Sequence, residues 1–450
     1  MGLNTRSSGY GAAVLTLINL FSQIMQFIFR IALTRLIGPE VIGLYQLVLP
    51  AHSVIMSIAV SGFTVAVSRL SAQYNANKNT LAIRQLIWQA RGAYITVLLV
   101  VSALIIPFSD AISVHLMGDA RARMGILFLL PVVLLTGWEN VQKNFFYGMK
   151  QVNPPAVSEI LEQVTRVGSV LLLLWLLRPS YAELQVAMIV VGMLISEIAS
   201  AALLTVFYRR WKERTPASGH RLANTAMLRE LGAIALPIAG ANLLANILGS
   251  ANSLIIPGRL VQSGLSVSEA LSSFGVAFGM TMPLLGLPTA LMGAMAFVTM
   301  PRIAEQVALS RWKTAEATVR RTLATTLIIL VPGSVILCLF GPGIARALFK
   351  QESAGLYMTP MMVATALTCL QYIMGSMLNG MGAQRRSATN LVFSGAVELV
   401  ITWYACAQPN LRLFGFVLAF LISSFLGAGL NLWDLRSILR QHNSSPLTDT

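Results

Sequence analysis

The feature that most limits what this chain can fold into is its succession of about twelve long apolar runs. They lie near 10–36, 41–68, 90–117, 122–147, 155–177, 184–208, 231–256, 271–299, 322–348, 357–381, 387–407 and 411–435. Runs of roughly 18 residues or more cross a bilayer as helices. A chain in lipid must satisfy its backbone polar groups internally, and the roughly ten-residue strands of a membrane barrel are too short to account for these runs. The expectation is an all-α polytopic membrane protein with about 12 transmembrane helices. Composition agrees where it counts: 11% of residues are charged, against about a quarter in soluble domains.

The net charge of +15 is not a nucleic-acid signature here, because the basic residues fall in the short connections between apolar runs. With a cytoplasmic N-terminus, the inner side holds Arg6, a loop with Arg69, Lys78, Arg84 and Arg91, then Lys143 and Lys150. It also holds "YRRWKERTPASGHRLANTAMLRE", "PRIAEQVALSRWKTAEATVRR", Arg385, Arg386, Arg436 and Arg440. Arg35, Arg121, Arg123, Arg178, Arg259, Arg346, Lys350 and Arg412 fall on the other side, a bias of 22 against 8. Positive residues mark cytoplasmic loops, so both termini are expected in the cytoplasm of a cell-membrane protein.

Two faint internal matches suggest a repeat. "VAVSRLSAQ" (65–73) and "VTMPRIAEQ" (298–306) align Arg69 with Arg302. "FFYGMKQ" (145–151) and "MLNGMGA" (377–383) align Gly148–Met149 with Gly380–Met381. The offsets, 233 and 232, agree. An offset of six helices keeps both halves in one orientation, a parallel pseudo-two-fold repeat of the transporter kind. The expected division is an N-terminal lobe, 1–208, a cytoplasmic linker, 209–229, a C-terminal lobe, 230–437, and a disordered tail, 438–450. In such proteins substrates bind near the midplane. Gly and Pro in "FGVAFGMTMPLLGLPTALMGAMAF", and Pro237 and Gly240 earlier, supply either bends or close packing.

Charges inside spans are costly and usually functional. Arg30 lies about 7.5 Å deeper than Arg35 by helical rise. Glu139 and Lys143 are four apart; Glu159, Glu162 and Arg166 follow at spacings of three and four, and Glu197 lies in the next run. These spacings place the groups on common helix faces. One reading is a set of intrahelical ion pairs near the cytoplasmic ends. The other is a hydrated cavity, with Arg30, Arg35, Arg69, Lys143 and Arg166 facing an anionic substrate. Glu139, Glu159, Glu162 and Glu197 would then serve a coupling ion, proton or sodium. Both stay open at this point.

No catalytic constellation competes. His52, His115, His220 and His442 are scattered, and no Walker loop is present, so the chain does not read as an enzyme or an ATP-driven pump. Cys338, Cys369 and Cys406 have no paired spacing and read as small apolar fillers; no cofactor or metal is expected. "GPG" at 341–343 reads as a loop after a helix, and 302–321 as a basic amphipathic segment on the cytoplasmic surface.

"ALTRLIGPEVIGLYQL" and "SGFTVAVSRLSAQ" resemble the first helix and loop, and the end of the second helix, of the polysaccharide flippases of the multidrug/oligosaccharidyl-lipid/polysaccharide exporter superfamily. "PLLGLPTALMGAMAFVTMPRIAEQ" and "SMLNGMGAQRRSATNLVFSGAVELV" are similar to their eighth helix and their tenth-to-eleventh junction. The branch is the stage V sporulation protein B type, related to lipid II flippases. The resemblance implies two six-helix lobes in a V around a central cavity, and export of a polyprenyl-pyrophosphate-linked sugar. It further implies that Arg30 and Arg35 of the first helix, with Arg69 of the second, hold the pyrophosphate. The branch also draws a cation from its eighth helix; 271–300 has none here. Besides this flippase of lipid-linked glycan or peptidoglycan precursor, two readings remain. One is a cation-coupled multidrug exporter of the same fold. The other is a non-transporting membrane scaffold that recruits cell-wall synthesis proteins.

Overall fold

A computed structural model describes residues 8–443. Arg6 and the last seven residues of the expected tail, 444–450, lie outside the described residues. All the described elements are helices. The first half runs α1 (Ser8–Met56), α2 (Gly62–Ala76), α3 (Thr80–Ala111), α4 (Ala122–Gly148), α5 (Asn153–Leu177) and α6 (Ala182–Arg214). The second runs α7 (Asn224–Gln262), α8 (Val267–Phe274), α9 (Met282–Ala308), α10 (Trp312–Phe349), α11 (Met358–Gly380), α12 (Gln384–Ala405) and α13 (Leu413–Asn443). Single π-helical stretches, Ser57–Ser61 and Gly275–Thr281, join α1 to α2 and α8 to α9.

Gly38 breaks α1 with φ 78 and ψ 176, a conformation only glycine adopts readily, and Pro39 restarts the helix. The bend is required. Thr16–Ala76 is one apolar span of 61 residues, some 90 Å of helix against about 30 Å of hydrocarbon. Read as two rods at Gly38, with α2, α3 and α9 completed by their π-helical neighbours, the described residues form twelve rods. Nine stretches among the described residues are long and apolar enough to cross a membrane. α12 falls short of that measure, diluted by Arg385, Arg386, Asn390 and Glu398.

The chain divides into two compact units between Leu254 and Ile255. The first is cored by Tyr94, Phe145, Phe146, Leu204 and Tyr208, with Met227, Leu231 and Ala235 of α7 packed in. Gly62 meets the Ala235 backbone so closely that no side chain fits there. The second is cored by Ile303, Met374, Met377, Leu378 and Leu435.

The repeat is written in the turns. Lys78 and Ser310, Gly118 and Lys350, and Lys150 and Gly382 are pairs of left-handed residues, each 232 positions apart. Arg178 and Arg412 form a fourth pair, 234 apart. Met149 and Met381 end α4 and α11 with the same backbone angles, φ −81 and ψ 2. Helix pairs repeat as well: α4, α5 and α6 pack on one another as α11, α12 and α13 do.

Several local expectations are corrected. Arg84 and Arg91 are inside α3, and Arg69 is inside α2; of the four only Lys78 is in the turn. Helices extend past the apolar runs because polar residues at a membrane surface continue a helix without penalty. Arg91 stacks on Trp138 at 3.9 Å, and Arg84 donates to the carbonyls of Lys212 and Thr215 at 2.8 and 2.7 Å. Those carbonyls are the orphan acceptors at the end of α6. The non-helical join is only 215–223, and it is tied down. Thr80 Oγ1 donates to the Pro216 carbonyl and accepts from Ser218 N, both at 2.8 Å.

The 302–321 stretch is no separate surface segment either. It is the end of α9, a short turn and the start of α10. "GPG" lies within α10, not in a loop. Pro342 cannot donate to the Cys338 carbonyl, and Thr359 Oγ1 does so instead, at 3.2 Å.

Candidate functional site

The charged positions of α4, α5 and α6 converge on one buried network. On α4, Glu139 and Lys143 share a face. Pro154 and Pro155 start α5 at its first positions, where a missing N–H is harmless. That start puts Glu159, Glu162 and Arg166 on the side facing α4 and α6. Close approach of α5 to α6 comes from Gly192, where a Cβ would fall 2.8 Å from the Val170 Cα.

Lys143 Nζ is the hub. It lies 2.6 Å from Glu139, 2.7 Å from Glu159 and 3.1 Å from Glu162. Arg166 Nη2 pairs with Glu162 and, at 3.1 Å, with Glu197. Hydroxyls complete part of the shell. Ser200 and Ser158 donate to Glu139 Oε1 at 2.5 and 3.2 Å, and Gln163 donates to Glu159 at 3.0 Å. Ser22 of α1 donates to the same Glu159 oxygen, Oε1, at 3.4 Å.

The charge does not balance. Four carboxylates meet two cations, and Glu139 and Glu197 are only 1% and 3% exposed. Among the described residues, Glu139 Oε2 and Glu197 Oε2 are buried with no donor. Glu139, Glu162 and Glu197 each offer an oxygen within 4.8 Å of the others. Buried, uncompensated charge costs several kcal/mol per ion. The network is chemically suited to take up small positive charge, a proton or a metal cation, at those three carboxylates.

Not every expected residue joins. Arg30 is half-buried beside the network, in electrostatic reach of Tyr45, which in turn reaches Arg166. Arg35 is exposed and lines an apolar groove of about 770 Å³ with Ile31, Gly168 and Trp175, between α1 and α5. Arg69 is exposed near the end of α2 and makes no contact with the network among the described residues. Sequence reasoning missed Tyr45 and His52, both in electrostatic reach of Arg166. They lie seven residues apart, on one helix face, which was the available signal. It also missed Ser158 and Ser200, and the lock on the Gly38 bend: Arg121 pairs with Glu40 and Asp119, each at 2.8 Å. The Asp119 carboxylate first, then Glu40, raises the Arg121 pKa further above its usual value.

A family model described as polysaccharide biosynthesis protein matches residues 8–307. The chain belongs to that polysaccharide biosynthesis protein family. Stage V sporulation protein B of Bacillus subtilis (strain 168) is 22% identical over 413 residues, 91% of this chain and 80% of that protein. Lipid II flippase MurJ of the same organism is 21% identical over 416 residues, 87% and 76% of the two chains. Among solved structures, the inward-facing conformation of a multidrug resistance MATE family transporter of the MOP superfamily matches with a TM-score of 0.77. It does so at 16% identity, over 94% of this chain and 96% of that one. This family member is a multi-pass membrane protein, helical throughout its described elements, whose fold is similar to that of the MATE family transporter, as the apolar runs and the four resembling segments led us to expect.

Proposed function

We propose that the protein is a secondary transporter. It flips a polyprenyl-pyrophosphate-linked oligosaccharide, or a lipid II-like peptidoglycan precursor, across the cytoplasmic membrane by alternating access. Lobes 1–208 and 230–437, joined through 209–229, are part of this reading, as are cytoplasmic termini. Support comes from the family and from its flippase-named relative. One observation in the site carries the mechanism: among the described residues, a membrane-embedded network with four carboxylates, two cations and two buried carboxylate oxygens without a donor.

Arg30, Arg35 and Arg69 supply guanidinium groups to the pyrophosphate, for which a planar, multidentate donor is well matched. Lys143 and Arg166 are held by carboxylates while the network is short of positive charge. When a proton or sodium ion enters at Glu139, Glu162 and Glu197, that hold weakens and both cations become available to phosphate oxygens. Glu159, the most open of the four at 28% side-chain exposure, passes the ion in. Ion and anion then favour each other's binding reciprocally.

A cationic-drug exporter would also use carboxylates. Glu139 and Glu197 are too enclosed to meet a drug-sized cation, so the enclosure favours a small ion. The test is translocation of fluorescent undecaprenyl-pyrophosphate glycan in vesicles, beside a cationic dye. The wild-type chain should move the lipid and not the dye, and Arg30→Ala should lower lipid movement about tenfold or more. Dye export without lipid movement would make it a drug exporter. A cell-wall phenotype rescued in full by Arg30→Ala would make it a scaffold.

A further inference from the structure

The second unit contains a pocket that the glycan reading does not use. α9 and α10 meet at the short turn 309–311. Along α9, Met295, Thr299, Arg302 and Gln306 recur at spacings of three and four; along α10, Thr314, Thr318, Arg321 and Thr325 do the same, beside Lys313. These two stripes enclose about 1010 Å³.

Its chemistry is one-signed. Arg302, Lys313 and Arg321 line it, and no carboxylate does. Among the described residues, none of these three cations makes an ion pair, whereas Lys143 in the first unit has three partners. All three are exposed, and the apolar run of α10 begins only beyond Arg321, at 322. Cations at a membrane surface attract anionic lipid headgroups.

The backbone adds to the same sign. Arg311 at the α10 N-cap gives no side-chain capping bond. The first N–H groups of a 38-residue helix therefore open beside Lys313 with the positive end of its dipole. Two lining polar groups also wait for a partner. The Gln306 side-chain oxygen is buried without one, and Thr299, 8% exposed, makes no hydrogen bond among the described residues.

The lining is graded along its length. Lys313 and Gln306 are next to the turn, Arg302 and Arg321 come deeper, and Met295 and Thr325 lie at the far end. A cationic mouth over a less polar floor matches a phosphate group attached to an acyl or prenyl chain. A free anion would leave the floor empty.

We propose that this α9–α10 pocket binds the phosphate-bearing headgroup of an anionic membrane lipid. The inference is independent of the glycan reading: it holds or fails whatever the protein moves. The headgroup can come from bulk phospholipid or from a polyprenyl diphosphate carrier.

The test uses the full chain in delipidated detergent, with lipid binding read by native mass spectrometry. Phosphatidylglycerol, undecaprenyl diphosphate and inorganic phosphate are titrated separately. R302Q/K313Q/R321Q should weaken lipid binding about tenfold or more, and T299V should weaken it less. R209Q/R210Q, equally exposed cations elsewhere, should leave it within about twofold. Preference for phosphatidylglycerol assigns the site to bulk lipid, and preference for the diphosphate assigns it to the carrier; either supports the proposal. Equal loss in R209Q/R210Q, no loss in the triple variant, or displacement of lipid by millimolar inorganic phosphate overturns it. On the unmodified protein, photoactivatable phosphatidylglycerol should label residues 295–325; labelling only elsewhere also overturns it.

Discussion

Two three-helix layers in this molecule share one packing plan and fill it with opposite chemistry. In α4–α5–α6 the shared interface holds Glu139, Lys143, Glu162, Arg166 and Glu197. In α11–α12–α13 the position 232 residues after Glu139 is Gln371, and the one after Glu162 is Ser394. There Gln371 Nε2 donates to Ser394 at 3.1 Å, Asn431 donates to the Gln371 carbonyl at 2.9 Å, and Asn390 donates to Asn431 at 3.0 Å. Amides and hydroxyls make up most of this frame; its charges are fewer, with Arg386 paired to Asp434 at 3.2 Å, Asn390 donating to Asp434 at 2.8 Å and Ser423 donating to Glu398 at 2.6 Å. A cluster of four carboxylates is therefore not needed to hold three helices together. Since buried ion pairs are weak evidence of stability, the excess carboxylates of the first layer point to work done there.

The contrast can be broken most forcefully at the hub. Lys143→Met leaves Glu139, Glu159 and Glu162 facing one another and should cost about 3–5 kcal/mol, read as a lowered unfolding midpoint in detergent. Gln371→Leu, at the second layer's counterpart of Glu139, should cost about 1–3 kcal/mol. Equal losses would erase the distinction between the layers. Pairing Lys143→Met with Glu139→Gln should restore part of the loss, with a coupling of about 1–3 kcal/mol; strict additivity would mean that the two charges do not interact.

Much of this was legible beforehand. Span number and the three- and four-residue spacing of Glu159, Glu162 and Arg166 are local properties, set by hydropathy and helical pitch. What Lys143 touches on α5, and that Ser200 reaches Glu139, depends on helix packing that spacing does not encode. The repeat was only half visible. Lys78 with Ser310, Gly118 with Lys350, and Lys150 with Gly382 share a backbone conformation and no side-chain chemistry. The helical starts at Thr80 and Trp312 were missed for another reason: hydropathy marks where lipid is, and a helix does not stop there.

Smaller effects sharpen the same comparison away from the charges. Thr359→Val removes the donor that replaces the missing Pro342 N–H and should cost about 1 kcal/mol, seen as faster hydrogen exchange at the end of α10. An unchanged exchange rate would mean that the Cys338 carbonyl finds another donor. The smallest effect lies at the α8 capping box, where Glu269 accepts from Ser266 N at 2.9 Å and from its hydroxyl at 2.8 Å. The backbone N–H bond first, then the hydroxyl, holds this exposed carboxyl below the ordinary glutamate range. A depressed folded-state pKa adds stability above the unfolded value and loses it as pH falls through the folded one. Glu269→Gln should therefore match the wild type in strong acid and fall slightly below it near neutrality. A difference that persists unchanged into strong acid would remove the carboxylate from the explanation.

The ion–lipid link is tested most directly by gradient-driven flipping of undecaprenyl-pyrophosphate glycan in sealed vesicles, with wild type beside Glu197→Gln. Imposing a proton or sodium gradient should accelerate the wild type, while Glu197→Gln should still bind the lipid yet flip it at a rate indifferent to the gradient. Identical gradient-dependent acceleration in both proteins would contradict the account.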